Sequence, residues 1–240
     1  MEHQRRYLAT MTAKGQLTVP AEFRHDLGLR RPRRMWVLLS QSGRRGTSIA
    51  DHGDGRVPVE GVPMRADTYL ALPEGSGYDL LGGLVFREPM PAVDHQVIVD
   101  NVVALLRRHA RLTGSGRALR EINVHLDAEN VPAPDACFVC AERLNRLRRN
   151  GLHGVAPDLC VEVLSPSSLR RDRGEKAALY ARFGCREYWI VDPQASRVEV
   201  LRIRSGARFM VEGAYGVDDA FASQAVPALC VDVAEVFLES

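Results

Sequence analysis

Three residue types, placed in order along the chain, could together cut a phosphodiester bond. Asp135 follows Pro134 at the mouth of a short apolar segment, Ala136–Cys140. Glu162 is the one charge inside the apolar run Leu159–Leu164. A carboxylate in such a run is costly to bury unless it meets a cation or hydrogen-bond donors. Lys176 lies in the helical pattern that follows, with Asp172, Leu179, Tyr180 and Phe183 at helical spacing, so it sits on or beside the apolar stripe. Carboxylates from neighbouring strands suit a hard cation, Mg²⁺ or Mn²⁺. Such an ion acidifies a bound water and neutralises charge on a phosphate, while a lysine orients or deprotonates that water or stabilises the transition state.

The elements that must position these groups follow from periodicity and punctuation. Met64–Leu72 reads as a short helix ended by Pro73, and Tyr78–Arg87 as a hairpin about Gly82-Gly83. Val93–Leu112 is predicted as a helix, with Ile98, Val99, Val102, Leu105 and Leu106 on one side. Arg117–Asp127 alternates as a strand; Ala136–Cys140, Leu159–Leu164 and Glu187–Val191 are further strands. Arg171–Phe183 is a helix stopped by Gly184, and Arg197–Arg204 with Ala207–Glu212 forms a hairpin. The pattern is α/β or α+β, a mixed sheet with two principal helices.

Over residues 64–193 the chain resembles the Uma-type restriction endonuclease family of the PD-(D/E)XK nuclease superfamily. The resemblance rests on Tyr78-Asp79-Leu80 with Gly83, His95, Pro134-Asp135, Pro157-Asp158-Leu159, Glu162 to Ser167, Asp172, Lys176, Tyr180 and Glu187-Tyr188-Trp189 through Asp192-Pro193. It implies a nuclease-like mixed sheet flanked by helices, with Asp135 and Glu162 as metal ligands and Asp79 as a third acidic contact where the family often has glutamate. Strict D-x-E-x-K spacing would put the lysine at position 164, which is Leu164, so the lysine function falls to Lys176. His95, Asp172 and Tyr180 are further cleft candidates.

Blander readings stand beside these. Asp172 and Lys176 are also spaced as a surface i, i+4 pair. His95 is compatible with a solvent-facing helix residue, and Asp158 with a local strand-start contact. Ser165 to Ser168 reads as a turn into a helix rather than a nucleophile, and Asp192-Pro193 as a strand-ending turn. Cys137 and Cys140 are spaced C-x-x-C but lack a second pair, so buried thiols are expected and zinc is not.

Charge separates a second unit. The total is +2, yet residues 1–60 carry 11 basic and 6 acidic side chains. Of the 32 basic residues, only Lys14 and Lys176 are lysines. The Gly/Pro-rich stretch 51–63 marks a boundary, giving domains at 1–55 and 64–240 joined by a linker at 56–63. Before it, Arg5–Thr12 and Gln16–Val19 are strand-like about Lys14-Gly15, Ala21–Leu27 is a short helix after Pro20, and Met35–Leu39 is another strand. About 40 residues bury too little to fold alone, so this unit is expected to dimerise or dock. Thr12 to Pro20, with Phe23-Arg24 and Leu27-Gly28-Leu29, resembles the AbrB/MazE-like swapped-hairpin domain. That resemblance implies an intertwined homodimer binding DNA, with Lys14, Gln16, Arg24, Arg5 and Arg6 as contacts. The Arg30–Arg34 stretch departs from the family's usual turn, and a purely dimerising module is the alternative.

The composition, 45% hydrophobic and 26% charged, excludes disordered and fibrous classes. No apolar run reaches membrane-span length, and the first 30 residues lack an apolar signal core. A cytoplasmic protein with reduced thiols is therefore expected. The leading expectation is a homodimeric, DNA-binding, Mg²⁺-dependent endonuclease. The rivals are a non-catalytic DNA-binding regulator or antitoxin-like protein on a vestigial nuclease fold, and a protein-interaction scaffold.

Overall fold

The computed structural model of the chain describes residues 10–11, 17–18, 63–71, 77–87, 91–166, 168–204 and 206–238. The expected segments Ala21–Leu27 and Met35–Leu39 and the DNA-contact candidates Arg5, Arg6, Lys14, Gln16 and Arg24 lie outside the described residues. Two short strands near the N-terminus, β1 (Thr10–Met11) and β2 (Leu17–Thr18), pair antiparallel with Thr10 opposite Thr18.

The larger unit is built on a six-stranded mixed sheet. Its strands, in chain order, are β5 (Gly116–Arg120), β7 (Ala136–Cys140), β10 (Leu159–Val163), β11 (Glu187–Asp192), β12 (Arg197–Ile203) and β13 (Phe209–Gly216). The spatial order is β13-β12-β11-β10-β7-β5. Only the β10–β11 pair is parallel; its crossover is the helical segment 169–182. β7, β10 and the first five residues of β11 are fully buried, as continuous apolar runs in a sheet covered on both faces should be.

Side-chain alternation sorts the two cores. Leu159, Val161 and Val163 face the long helix Val93–Thr113, where Ile98, Val99, Val102, Leu105 and Leu106 line the expected stripe. Cys160 and Leu164 face the other way, onto Ala177 and Tyr180. Glu162 shares their parity and therefore points toward the helix that carries Lys176.

A hairpin, β3 (Tyr78–Leu81) and β4 (Leu84–Arg87), packs beside the sheet with α1 (Ala66–Tyr69), a shorter helix than expected. Gly82 and Gly83 have φ of +56° and +74°. Both central residues of a two-residue type I′ turn need positive φ, which is why Gly-Gly stands there.

Three further expectations need correction. Arg117–Asp127 is not one strand. Glu121 has φ +47°, which ends β5, and Val124–His125 (β6) joins a separate three-stranded sheet with β8 (Leu147–Arg148) and β9 (Gly151–His153). The helix expected over Arg171–Phe183 begins at Leu169 and carries a π turn at Asp172–Lys176 before continuing as Ala177–Arg182. The C-terminal hairpin runs longer than expected, to Gly216, and is followed by the pair Ala220–Ala222 and Cys230–Asp232 and a short helix, Val233–Val236. No helix among the described residues is long and apolar enough to cross a membrane.

Candidate active site

The site is assembled from five elements. Antiparallel pairing of β7 with β10 sets Ala136 opposite Val161, so Asp135, one residue before β7, lies beside the end of β10. Its Oδ2 accepts a hydrogen bond from the Val163 amide at 2.7 Å and lies 3.3 Å from His95 Nε2, in the first turn of the long helix. Asp135 Oδ1 takes no hydrogen bond among the described residues. Burial alone would lower the His95 pKa; the hydrogen bond and charge of Asp135 overcome it, and the net shift is upward. His95 is therefore a cleft residue held by a carboxylate, not a solvent-facing one.

Glu162 is 2% exposed. Tyr180 Oη donates to its Oε1 at 3.1 Å, and Lys176 Nζ lies 3.4 Å from either oxygen. Burial pushes its pKa well up, the Lys176 charge pulls it back, and Asp172, Asp135 and Asp79 push it up again. Four carboxylates thus share one small volume, and like charges within reach of each other resist ionising together.

Lys176 is the common partner. Its Nζ is 2.9 Å from Asp79 Oδ2 and 3.7 Å from Asp172 Oδ1, and donates to the Ala133 carbonyl at 3.4 Å. Lys176 and Asp172 are 2% and 1% exposed, which excludes the surface-pair reading. The π turn places both inward at the sheet edge of the helix; such turns are uncommon and concentrate at functional sites. Asp79, fully buried on β3, also accepts from the Ala133 amide at 2.9 Å, so the hairpin brings a third acid to the strand-borne pair. Asp172 Oδ1 is buried without a hydrogen bond among the described residues, and burial raises the Asp172 pKa against the pull of Lys176.

These side chains line a cleft of about 1400 Å³. Asp79, His95, Asp135, Glu162, Asp172 and Lys176 all border it; Tyr180 lies beneath, touching the cleft through Glu162. The cleft lining also includes Arg148, Arg149 and Asn150, which sequence reasoning missed. The signal available was the basic run from Arg143 to Arg149.

Other singled-out residues hold the local structure, although Ser165, Ser168 and Asp192 also border the cleft. Asp158 is fully buried, accepts from the Cys140 amide at 2.8 Å, and pairs with Arg143 and Arg186, each at 3.3 Å. Ser165 and Ser168 exchange hydrogen bonds at the start of the helix, as a turn should. Asp192 Oδ1 caps the Gln194 and Ala195 amides. Cys137 and Cys140 are three residues apart on one strand, which sends their sulfurs to opposite faces. Cys140 packs in the core under the long helix, while Cys137 senses Cys185 on the other side.

By donor chemistry alone, the set suits a divalent metal. It is made of hard carboxylate oxygens with Asp172 Oδ1 and Asp135 Oδ1 lacking hydrogen-bond donors, and its excess negative charge is met by one ammonium. As they stand, no three His, Cys, Asp or Glu side chains among the described residues are grouped closely enough to hold an ion. Lys176 stands among the carboxylates in that space.

A mixed sheet flanked by helices, with acids from adjoining strands and a lysine from the crossover helix, defines the restriction-endonuclease-like class. The chain belongs to the Uma2 family, described as "Putative restriction endonuclease", which it matches over residues 66–233. A crystal structure titled as a "putative nuclease belonging to DUF820" from Anabaena variabilis is similar to it, with a TM-score of 0.61 and 21% identity, covering 73% of this chain and 98% of that one. At that identity the likeness is one of fold. No curated protein matches the chain.

Proposed function

We propose that the chain is a Mg²⁺- or Mn²⁺-dependent DNA endonuclease, hydrolysing phosphodiester bonds with Asp135, Glu162 and Lys176. The observation that carries the proposal is the burial of Lys176 Nζ among Asp79, Glu162 and Asp172 on the wall of the cleft that Asp135 also borders. Family membership and the nuclease-like neighbour support the same reading.

Asp135 and Glu162 would hold the ion, with Asp79 as a third contact. When bound, it supplies Lewis acidity to a water and neutralises charge on the phosphate. His95 and the Val163 amide fix Asp135 through Oδ2 and leave Oδ1 to the cleft. Tyr180 fixes Glu162 from below. Lys176 Nζ would orient the attacking water and stabilise charge growing on the phosphoryl oxygens. The apolar layer beneath the carboxylates excludes water, which strengthens each of these interactions.

Residues 1–55 are read as a DNA-binding and dimerising unit acting through Lys14, Gln16, Arg24, Arg5 and Arg6. The Lys14-Gly15-Gln16 to Pro20 motif, the basic balance of residues 1–60 and the β1–β2 pair support this reading. Calorimetric titration with Mn²⁺ tests the metal centre: the wild type is expected to bind, and Asp135→Asn with Glu162→Gln to lose binding while remaining folded. Equal binding by both proteins would reject these ligands.

A further inference from the structure

We infer that the hairpin Leu147–His153 is a phosphate clamp for duplex DNA, gripping the backbone beside the scissile bond through Arg148 and Arg149. The inference rests on the endonuclease reading for its substrate, but its evidence lies in other residues of the cleft lining.

Nine of the twenty arginines in residues 64–240 pair with a carboxylate among the described residues. Arg120, Arg143, Arg173, Arg182, Arg186 and Arg202 all pair with Asp or Glu. Arg148 and Arg149 are among those with no carboxylate partner among the described residues, and of the three arginines that border the cleft only Arg120 has one. Both are exposed and both border the cleft. Arg148 is nevertheless held, donating to the carbonyls of Asn145 and Leu147, neutral partners that fix the guanidinium without cancelling its charge. A planar guanidinium matches two phosphate oxygens at once.

The hairpin carrying them is short but anchored. Leu147 pairs with Leu152 and Arg148 with Gly151, leaving Arg149-Asn150 as the tip. Leu152 is fully buried, and its amide donates to the Asn123 carbonyl at 2.9 Å. Gly151 has φ +130°, and a Cβ there would lie 2.0 Å from the Asn123 carbonyl oxygen, so only glycine lets the hairpin lie this close. Asn150 Oδ1 lies 2.9 Å from His153 Nε2. His153 Nδ1 in turn lies 3.1 Å from His125 Nδ1. The tip is thereby tied through a histidine pair to β6.

Charge completes the case. The same cleft is lined by four carboxylates, Asp79, Asp135, Glu162 and Asp172, which repel every phosphate that flanks the reacting one. A backbone lying in the cleft needs fixed cations that carry no sequence information but set its register, and these two arginines are so placed.

The test uses the full chain with a short fluorescein-labelled duplex in Ca²⁺, comparing wild type with the double variant Arg148→Gln, Arg149→Gln. Wild type and variant share the N-terminal unit, so the difference reads the hairpin. Affinity at low salt should fall at least tenfold, and the slope of log affinity against log salt should flatten by about 1.8, or 0.9 per lost phosphate contact. Hydrogen exchange should show amides 147–153 protected by DNA in the wild type and not in the variant. Unchanged affinity, slope and protection would overturn the clamp, as would preference for single-stranded RNA over the duplex. A wild type that shows the hairpin effect but never cleaves leaves the clamp standing and sinks the endonuclease reading. A wild type that cleaves while the double variant keeps its KM does the reverse.

Discussion

Lys176 Nζ sits 2.9 Å from Asp79 Oδ2, joining the crossover helix to a hairpin nearly a hundred residues earlier in the chain. That bond brings three units of structure onto one ammonium, because Glu162 and Asp172 lie within 4 Å of the same nitrogen. Removing it should therefore be costly. Lys176→Met leaves its buried carboxylates without their shared cation, and urea unfolding at pH 7 should show a loss of about 3 kcal/mol or more. Added Mn²⁺ should recover more stability in this variant than in the wild type, since the ion takes up the charge the lysine neutralised.

Tyr180→Phe should be milder. It removes one hydrogen bond to Glu162, made at 3.1 Å in a fully buried place. A loss of about 1–3 kcal/mol is expected from leaving a buried acceptor short of a donor. Thermal melts with and without Mn²⁺ would check it, and an unchanged midpoint would show that Tyr180 does not support Glu162.

The acid limb of stability should depend on Arg173 and Glu199. Arg173 Nη1 and Nη2 reach the two Glu199 oxygens at 2.7 and 3.0 Å, and the hydrogen bonds of Arg173 hold the Glu199 pKa below its usual 4.5 against the upward pull of burial. A depressed folded pKa means the unfolded state takes the proton first as pH falls. The pair's contribution is present above about pH 4.5 and disappears as pH drops through the folded value. Glu199→Gln should flatten the stability curve in that acid window and leave its shape near pH 7 unchanged.

Thiol chemistry gives a simple count. Cys137, Cys140, Cys160 and Cys185 are buried, and only Cys230 is exposed. Burial, with the Asp158 charge next, pushes the Cys140 thiol up to about 12, so it is protonated at neutral pH. A thiol-reactive dye should label one cysteine quickly in the native protein and all five after denaturation. Rapid labelling of two or more would contradict the packing described.

Much of the site was legible in the sequence because single residues broke local patterns. Glu162 in an apolar run and Lys176 on an apolar stripe each demanded a partner, and the structure makes them partners of each other. Strands Ala136–Cys140 and Leu159–Val163 and the helix from Val93 showed their own periodicity. What the sequence hid depends on tertiary pairing. Strands of two or three residues, such as Leu147–Arg148 and Gly151–His153, are too short to show alternation, so the arginine-bearing hairpin read only as a charge run. The strand ending at Glu121 looked continuous because its apolar alternation persists past the residue where φ turns positive. The π turn leaves no trace in residue type, since Asp172 and Lys176 also fit ordinary helical spacing.

The central claim is that Asp135, Glu162 and Lys176 form one hydrolytic site. Its most direct measurement is plasmid nicking in Mg²⁺ or Mn²⁺ by the wild type and by Asp135→Ala, Glu162→Ala and Lys176→Ala, each verified as folded. Conversion of supercoiled DNA by the wild type, abolished by EDTA and lost at least a hundredfold in every variant, is the predicted result. Equal background conversion by all four proteins across a wide range of DNA would contradict the claim and leave the non-catalytic DNA-binding alternative in its place.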